Sequence, residues 1–141
     1  MAGVDANHNG VRDDVERYIG THFDNDEKVM RLVTNMAIST QYALVSTTER
    51  ESAKAHSLDI RAQECAVAAL DSVGPYIREL TEFAAMLMDT PQREEAWQAY
   101  LHRLKELYYA NHFSPTWDEG CMKRVDDAYE PGGMDSTPRR D

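Results

Sequence analysis

Apolar residues recur every three or four positions over most of this chain, and that period leaves room for little besides helices. Val15, Tyr18, Ile19, His22 and Phe23 share one face of a first helix, and Val29, Leu32, Val33, Met36, Ala37, Thr40, Ala43 and Leu44 form the stripe of a second. A third stripe runs through Val67, Leu70, Val73, Ile77, Leu80, Ala84 and Leu87, and a fourth through Trp97, Tyr100, Leu101, Leu104, Leu107 and Tyr108. No stretch alternates convincingly with the two-residue period of a half-buried strand. The chain has 141 residues, enough for one domain to bury a core unaided. The expected fold is therefore all-α, a small helical bundle of about four helices with an N-terminal loop and an irregular C-terminal tail.

Local signals place the boundaries. Asp24-Asn25-Asp26-Glu27 supplies a cap for the second helix. The polar run Thr47 to Lys54 either extends that helix or frays it, and Ser57 to Ile60 restarts the pattern. Gly74-Pro75 is expected to kink the third helix or split it into coaxial pieces. Thr90-Pro91 is a capping Thr followed by Pro at the first helical position, predicting a fourth helix to about Asn111. Only Met88 to Thr90 separate it from the third, a connection that predicts an antiparallel hairpin. From Ser114 onward Pro and Gly break regularity, so the chain is expected to pack as far as about Cys121 and then loosen. The reading is one domain over residues 1–125 and a flexible tail over 126–141.

Before the first helix, Asp5-Ala6-Asn7-His8-Asn9-Gly10-Val11-Arg12-Asp13-Asp14-Val15-Glu16 fits the spacing D-x-[DN]-x-[DN]-G-x₅-E without a mismatch. Ca²⁺ is a hard cation that takes six to eight oxygens from a flexible cage. Asp5, Asn7 and Asn9 would offer side-chain oxygens, Gly10 allows the sharp bend, Val11 would offer its backbone carbonyl, Asp13 would act through a water, and Glu16 would close the cage with both carboxylate oxygens. Arg12 and Asp14 are expected to face solvent. The metal-free reading is a turn followed by a capping box, Asp13-x-x-Glu16, but it gives no reason for Asp5, Asn7 and Asn9 in register with Gly10.

The segment resembles an EF-hand loop of the unpaired kind found in bacterial extracytoplasmic proteins such as dockerin-like calcium modules. The resemblance covers about the first fifth of the chain and implies coordination by Asp5, Asn7, Asn9, Val11, Asp13 and Glu16. It departs from paired EF-hands at Arg12, where an aliphatic residue usually joins two loops, and no second loop of this pattern follows. A fixed structural ion is therefore expected rather than a calcium sensor. Two neutral Asn ligands place the expected affinity at about 10⁻⁵ to 10⁻³ M.

Cys65 and Cys121 admit two readings, a disulfide tying the irregular segment to the bundle or two free thiols. In the predicted hairpin both lie toward the same end, and a bond would imply an oxidising compartment. A chain whose first structural element starts at Asp5 reads as a mature sequence behind an added methionine, so the expected home is periplasmic or secreted, with a cytoplasmic one as the alternative.

A formal charge of −10 argues against nucleic acid or an anionic membrane surface as partners and favours a protein with a basic surface. No apolar run is long enough for membrane insertion. The five histidines show no i, i+3 or i, i+4 pair, and no phosphate loop or nucleophile motif is present, so no catalysis is expected. The chain thus reads as a calcium-binding helical protein, its metal mainly structural, serving as an extracytoplasmic interaction or binding module. The alternatives are a cytoplasmic helical ligand-binding or regulatory protein without metal and, more weakly, an enzyme with a pocket near the Gly74-Pro75 bend.

Overall fold

A computed structural model of the protein describes Gly3, residues 5–105 and residues 114–127. The fold is all-α, with no strand among the described residues. Its helices are α1 (Asp13–His22), α2 (Glu27–Val45), α3 (Glu49–Ala68), the single turn α4 (Leu70–Val73), α5 (Ile77–Leu87) and α6 (Pro91–Lys105), with 3₁₀ turns at Gly74–Tyr76 and Glu119–Met122.

Helix α2 is the axis of the molecule. Asp26 starts it by accepting from the Lys28 and Val29 amides, as the sequence implies. Its apolar stripe is wider than one face: Val29, Leu32, Val33, Ala37, Ile38, Ala43 and Leu44 are all buried, because α1, α3, α4, α5, α6 and the Glu119–Met122 turn each pack on it. On one side, Val15, Ile19 and Phe23 of the first segment meet Phe83 and Leu87 of α5. Phe23 and Phe83 stand edge to face with centroids 6.1 Å apart, a favoured arrangement of ring quadrupoles.

The polar run after α2 is a boundary, where extension or fraying of α2 was expected. Thr48 caps α3 by accepting from the Glu51 amide, and the Glu51 carboxylate reaches back to the Thr47 amide. The expected long third helix also ends early. At Ala69, with φ −103° and ψ 21°, the amide turns back to the Cys65 and Ala66 carbonyls, and a second break follows at Gly74–Tyr76. Val67 lies off the buried face of α3 that carries Leu58, Ala62 and Cys65, and each break resets the helical phase, so Leu70 and Ile77 from the predicted stripe are exposed as well, while Phe83 is fully buried.

Helix α6 begins at Pro91 with the Thr90 hydroxyl accepting from the Arg93 amide, as predicted. The expected hairpin with the preceding helix gives way to a different packing, in which α6 lies on α2 and α3. Tyr100 is buried there with Ala43 and Ala55, and Trp97, Leu101 and Leu104 pack around them. Leu107, Tyr108 and the rest of the helix predicted to Asn111 lie outside the described residues, as does the expected tail from residue 128 onward. The C-terminal segment packs further than Cys121, with Val125 only 4% exposed.

A polar clamp fixes α6. Arg103 donates to the Ser52 hydroxyl at 2.7 Å and to the Ser46 carbonyl at 2.8 Å and hydroxyl at 2.9 Å, and both serines are buried. Arg103→Met keeps length and removes every donor, leaving buried acceptors without these partners. The expected cost is about 1–3 kcal/mol, read as a lower urea midpoint; an unchanged midpoint would show that water replaces the guanidinium at no cost.

Candidate metal centre

The loop before α1 is closed by its own polar side chains. The Asp5 carboxylate accepts from the Asn9 amide at 3.2 Å and the Gly10 amide at 2.9 Å, folding residues 5–10 around one carboxylate. Gly10 takes φ +86°, a conformation that costs glycine little, and a Cβ added there would stand 3.1 Å from the Arg124 guanidinium. Val11 is 2% exposed and anchors the loop in the core. Its amide donates to the Asn9 side-chain oxygen at 3.0 Å.

The capping box offered by Asp13-x-x-Glu16 does not form. Arg12 holds the N-cap position without a side-chain cap, and the Asp13 carboxylate accepts from the Ala6 amide across the loop at 3.1 Å. Glu16 also turns into the loop, accepting from the Asn9 side-chain amide at 2.7 Å and from that of Asn7 at 3.3 Å. Carboxylate oxygens of Asp5, Asp13 and Glu16 come within 4.8 Å of one another. Two ligands each about 2.4 Å from one ion can be no further apart than about 4.8 Å. The side-chain amides of Asn7 and Asn9 occupy the positive role among these carboxylates. A half-turn about the terminal torsion of Asn7 would exchange donor for acceptor and aim an oxygen at a cation, whereas the Asn9 oxygen is already engaged by the Val11 amide.

Arg12 corrects the expectation of a solvent-facing side chain. It is 3% exposed and runs beneath the loop, forking onto Asp14 at 3.0 and 2.8 Å and donating to the Leu87 carbonyl at 3.4 Å. A cation there complements the C-terminal end of α5 as well as pairing with Asp14. The hydrogen bond from Arg12 holds the Asp14 carboxyl below its ordinary value, against the opposing effect of burial.

Arg124, absent from the sequence-derived site, reaches the same loop from the C-terminal segment. It donates to the Asn9 carbonyl and forks onto Asp126 at 3.0 and 2.8 Å. Burial works to raise the Asp126 carboxyl, but the hydrogen bond and charge of Arg124 outweigh it and hold the group below its ordinary value. Asn9, Val11, Glu16, Ile19, Met30 and Arg124 are among the residues lining a half-open cavity of about 190 Å³ between the loop, α1 and α2.

Cys65, near the end of α3, and Cys121, in the Glu119–Met122 turn, stand at disulfide distance with Cα atoms 5.7 Å apart. No described helix is long and apolar enough to cross a membrane. The fold and site thus define an all-α helical protein with an acidic loop able to converge on a cation and a cysteine pair at bonding distance. No known family, curated protein or solved structure matches this chain.

Proposed function

We propose that the protein binds one Ca²⁺ in the EF-hand-like loop Asp5 to Glu16, and that the ion is structural, ordering the loop against α1. The observation that carries this reading is the convergence of Asp5, Asp13 and Glu16 oxygens to within 4.8 Å, with Asn7 and Asn9 already attached to Glu16. The surrounding fold supports a fixed ion, because Val11 and Arg12 bury the loop's second half against α1 and α5. The ligand set is Asp5, Asn7, Asn9, the Val11 carbonyl, Asp13 and Glu16. The cysteine pair favours a periplasmic or secreted setting, where calcium is plentiful enough to fill a site of about 10⁻⁵ to 10⁻³ M. There the protein would serve as an interaction module, its charge of −10 suited to a partner with a basic surface.

Calorimetric titration of chelator-stripped protein tests the reading, with Mg²⁺ as control. One-to-one Ca²⁺ binding that Mg²⁺ does not reproduce is expected; no heat up to millimolar Ca²⁺ would remove the proposal. Glu16→Gln provides the complementary test. For a site of about 10⁻⁵ M, 1 mM Ca²⁺ adds about 2.7 kcal/mol to stability through linkage. Most of that increment should be lost in Glu16→Gln, while its melting temperature in chelator stays near that of the parent. Equal losses with and without Ca²⁺ would assign Glu16 a purely structural role.

A further inference from the structure

One short segment, from Cys121 to Asp126, joins the cysteine pair to the calcium loop. Cys121 is fully buried against Cys65, and the chain leaving it is gripped at once by Asn35 in the middle of α2. The Asn35 side chain donates to the Lys123 carbonyl at 3.0 Å and accepts from the Val125 amide at 2.8 Å, so both peptide groups flanking Arg124 are clamped by one side chain that is 4% exposed. That clamp sets the direction of Arg124. Its guanidinium donates to the Asn9 carbonyl and is held by Asp126, which in turn accepts from the Tyr42 hydroxyl at 3.1 Å. Asn9 binds Glu16 through its side chain. An unbroken series of direct contacts therefore runs from the sulfur pair to the carboxylate that closes the loop.

We propose that this segment makes the site redox-sensitive, so that reducing Cys65–Cys121 weakens calcium binding and bound calcium protects the pair from reduction; the inference rests on the calcium reading above. An external dithiol supplies the reaction. Its thiolate attacks one sulfur to form a mixed disulfide, its second thiol closes the reductant into a cyclic disulfide, and two electrons and two protons leave Cys65 and Cys121 as thiols. Two thiols need van der Waals separation where a covalent bond stood, and both positions are buried, so the separation requires a movement of the surrounding chain. The cheaper movement is that of the C-terminal segment, because Cys65 is fixed in α3 while Cys121 sits in a turn of four residues. Displacing that turn moves Lys123 and Val125 from Asn35 and withdraws Arg124 from Asn9. The loop loses its outer brace, and calcium must then order a looser cage. Thermodynamic reciprocity requires the converse effect to be equally large.

The test measures calcium affinity calorimetrically in oxidised and dithiothreitol-reduced protein, alongside Arg124→Lys, which keeps the charge but not the fork that spans Asn9 and Asp126. Reduction should weaken binding at least fivefold, within the usual range of couplings. The ratio between the two redox forms should fall toward one in Arg124→Lys, and saturating Ca²⁺ should make the pair's reduction potential more negative by about 20 mV, the equivalent of fivefold for two electrons. Circular dichroism establishes whether the reduced protein keeps its helices. If it does not, oxidised Arg124→Lys decides, weaker binding supporting the brace and unchanged binding overturning it. Equal affinity in folded oxidised and reduced protein would overturn the coupling and leave the calcium site standing. Absence of binding in the oxidised protein would overturn both.

Discussion

Phe83→Ala is expected to destabilise the protein by about 3–5 kcal/mol, the range for removing a fully buried aromatic ring. Phe83 is 0% exposed and lies where α5 meets the first segment, with Tyr18 at 5.9 Å and Phe23 at 6.1 Å between ring centroids. Phe23, also 0% exposed, has the Tyr76 ring 5.8 Å from its own between centroids, so the ring removed is one of a connected group. Truncation removes apolar area and leaves a void that Tyr18 and Phe23 cannot fill without leaving their own contacts. Alanine returns only a few tenths of a kcal/mol through better helix propensity. Urea unfolding followed by circular dichroism checks the value, with Phe83→Leu expected to lose less because it keeps much of the volume. A loss below about 1 kcal/mol in Phe83→Ala would mean that α5 does not belong to the cooperative core, and that the α1–α5 layer opens separately.

This ring also shows where periodicity misleads. Val67, Leu70, Val73, Ile77, Leu80, Ala84 and Leu87 form an acceptable helical stripe only if the helix is continuous. Gly74-Pro75 announces one interruption, but the end of α3 at Ala69 is made by backbone turning with neither Gly nor Pro, and no local signal marks it. Once the phase is reset, Leu80, Phe83 and Leu87 form the inward face. The start of α3 is a different kind of omission. Thr48-Glu49-Arg50-Glu51 carries the spacing of a capping box, and its polar character obscured a boundary that the residues do encode. The all-α class, the caps at Asp26 and Thr90, and the stripes of α1 and α2 were legible because local chemistry and packing agree there.

The loop divides along the same line. Its spacing is local and could be read directly, including the positions that bring Asp5, Asp13 and Glu16 together. The course of Arg12 could not, because its main contact outside the loop lies 75 residues away at the Leu87 carbonyl. Taken alone, a charged residue between Val11 and Asp13 belongs in water. In the fold it meets an end of α5 that attracts a cation. Arg124 was hidden for the same reason, being placed at Asn9 by a cysteine pair and a clamp from α2 that no motif in the tail announces.

Reduction of Cys65–Cys121, measured in chelator so that calcium contributes nothing, is expected to lower stability by about 4 kcal/mol, on the chain-entropy treatment of a cross-link. The closed loop spans a sequence separation of 56, long enough for the bond to exclude many unfolded conformations. Other contacts offset little of this loss. Arg61 pairs with Asp118 beside the turn, but those side chains are 29% and 51% exposed, and such ion pairs contribute little in water. Asn35 holds Lys123 and Val125 only while the turn is in place. For a chain of this size the loss corresponds to a melting temperature lower by about 10 °C or more. Because whole-protein stabilities run to about 5–15 kcal/mol, most of that range leaves the reduced protein folded, which is the condition for comparing calcium affinity in the two redox forms. Thermal unfolding of oxidised and reduced protein, with thiol titration after denaturation to count the bonds broken, checks the value. A shift of less than about 2 °C with both thiols titrated would show that the segment's position is set by Asn35 and the buried Val125, and that the sulfur bond adds only a link between groups already in place.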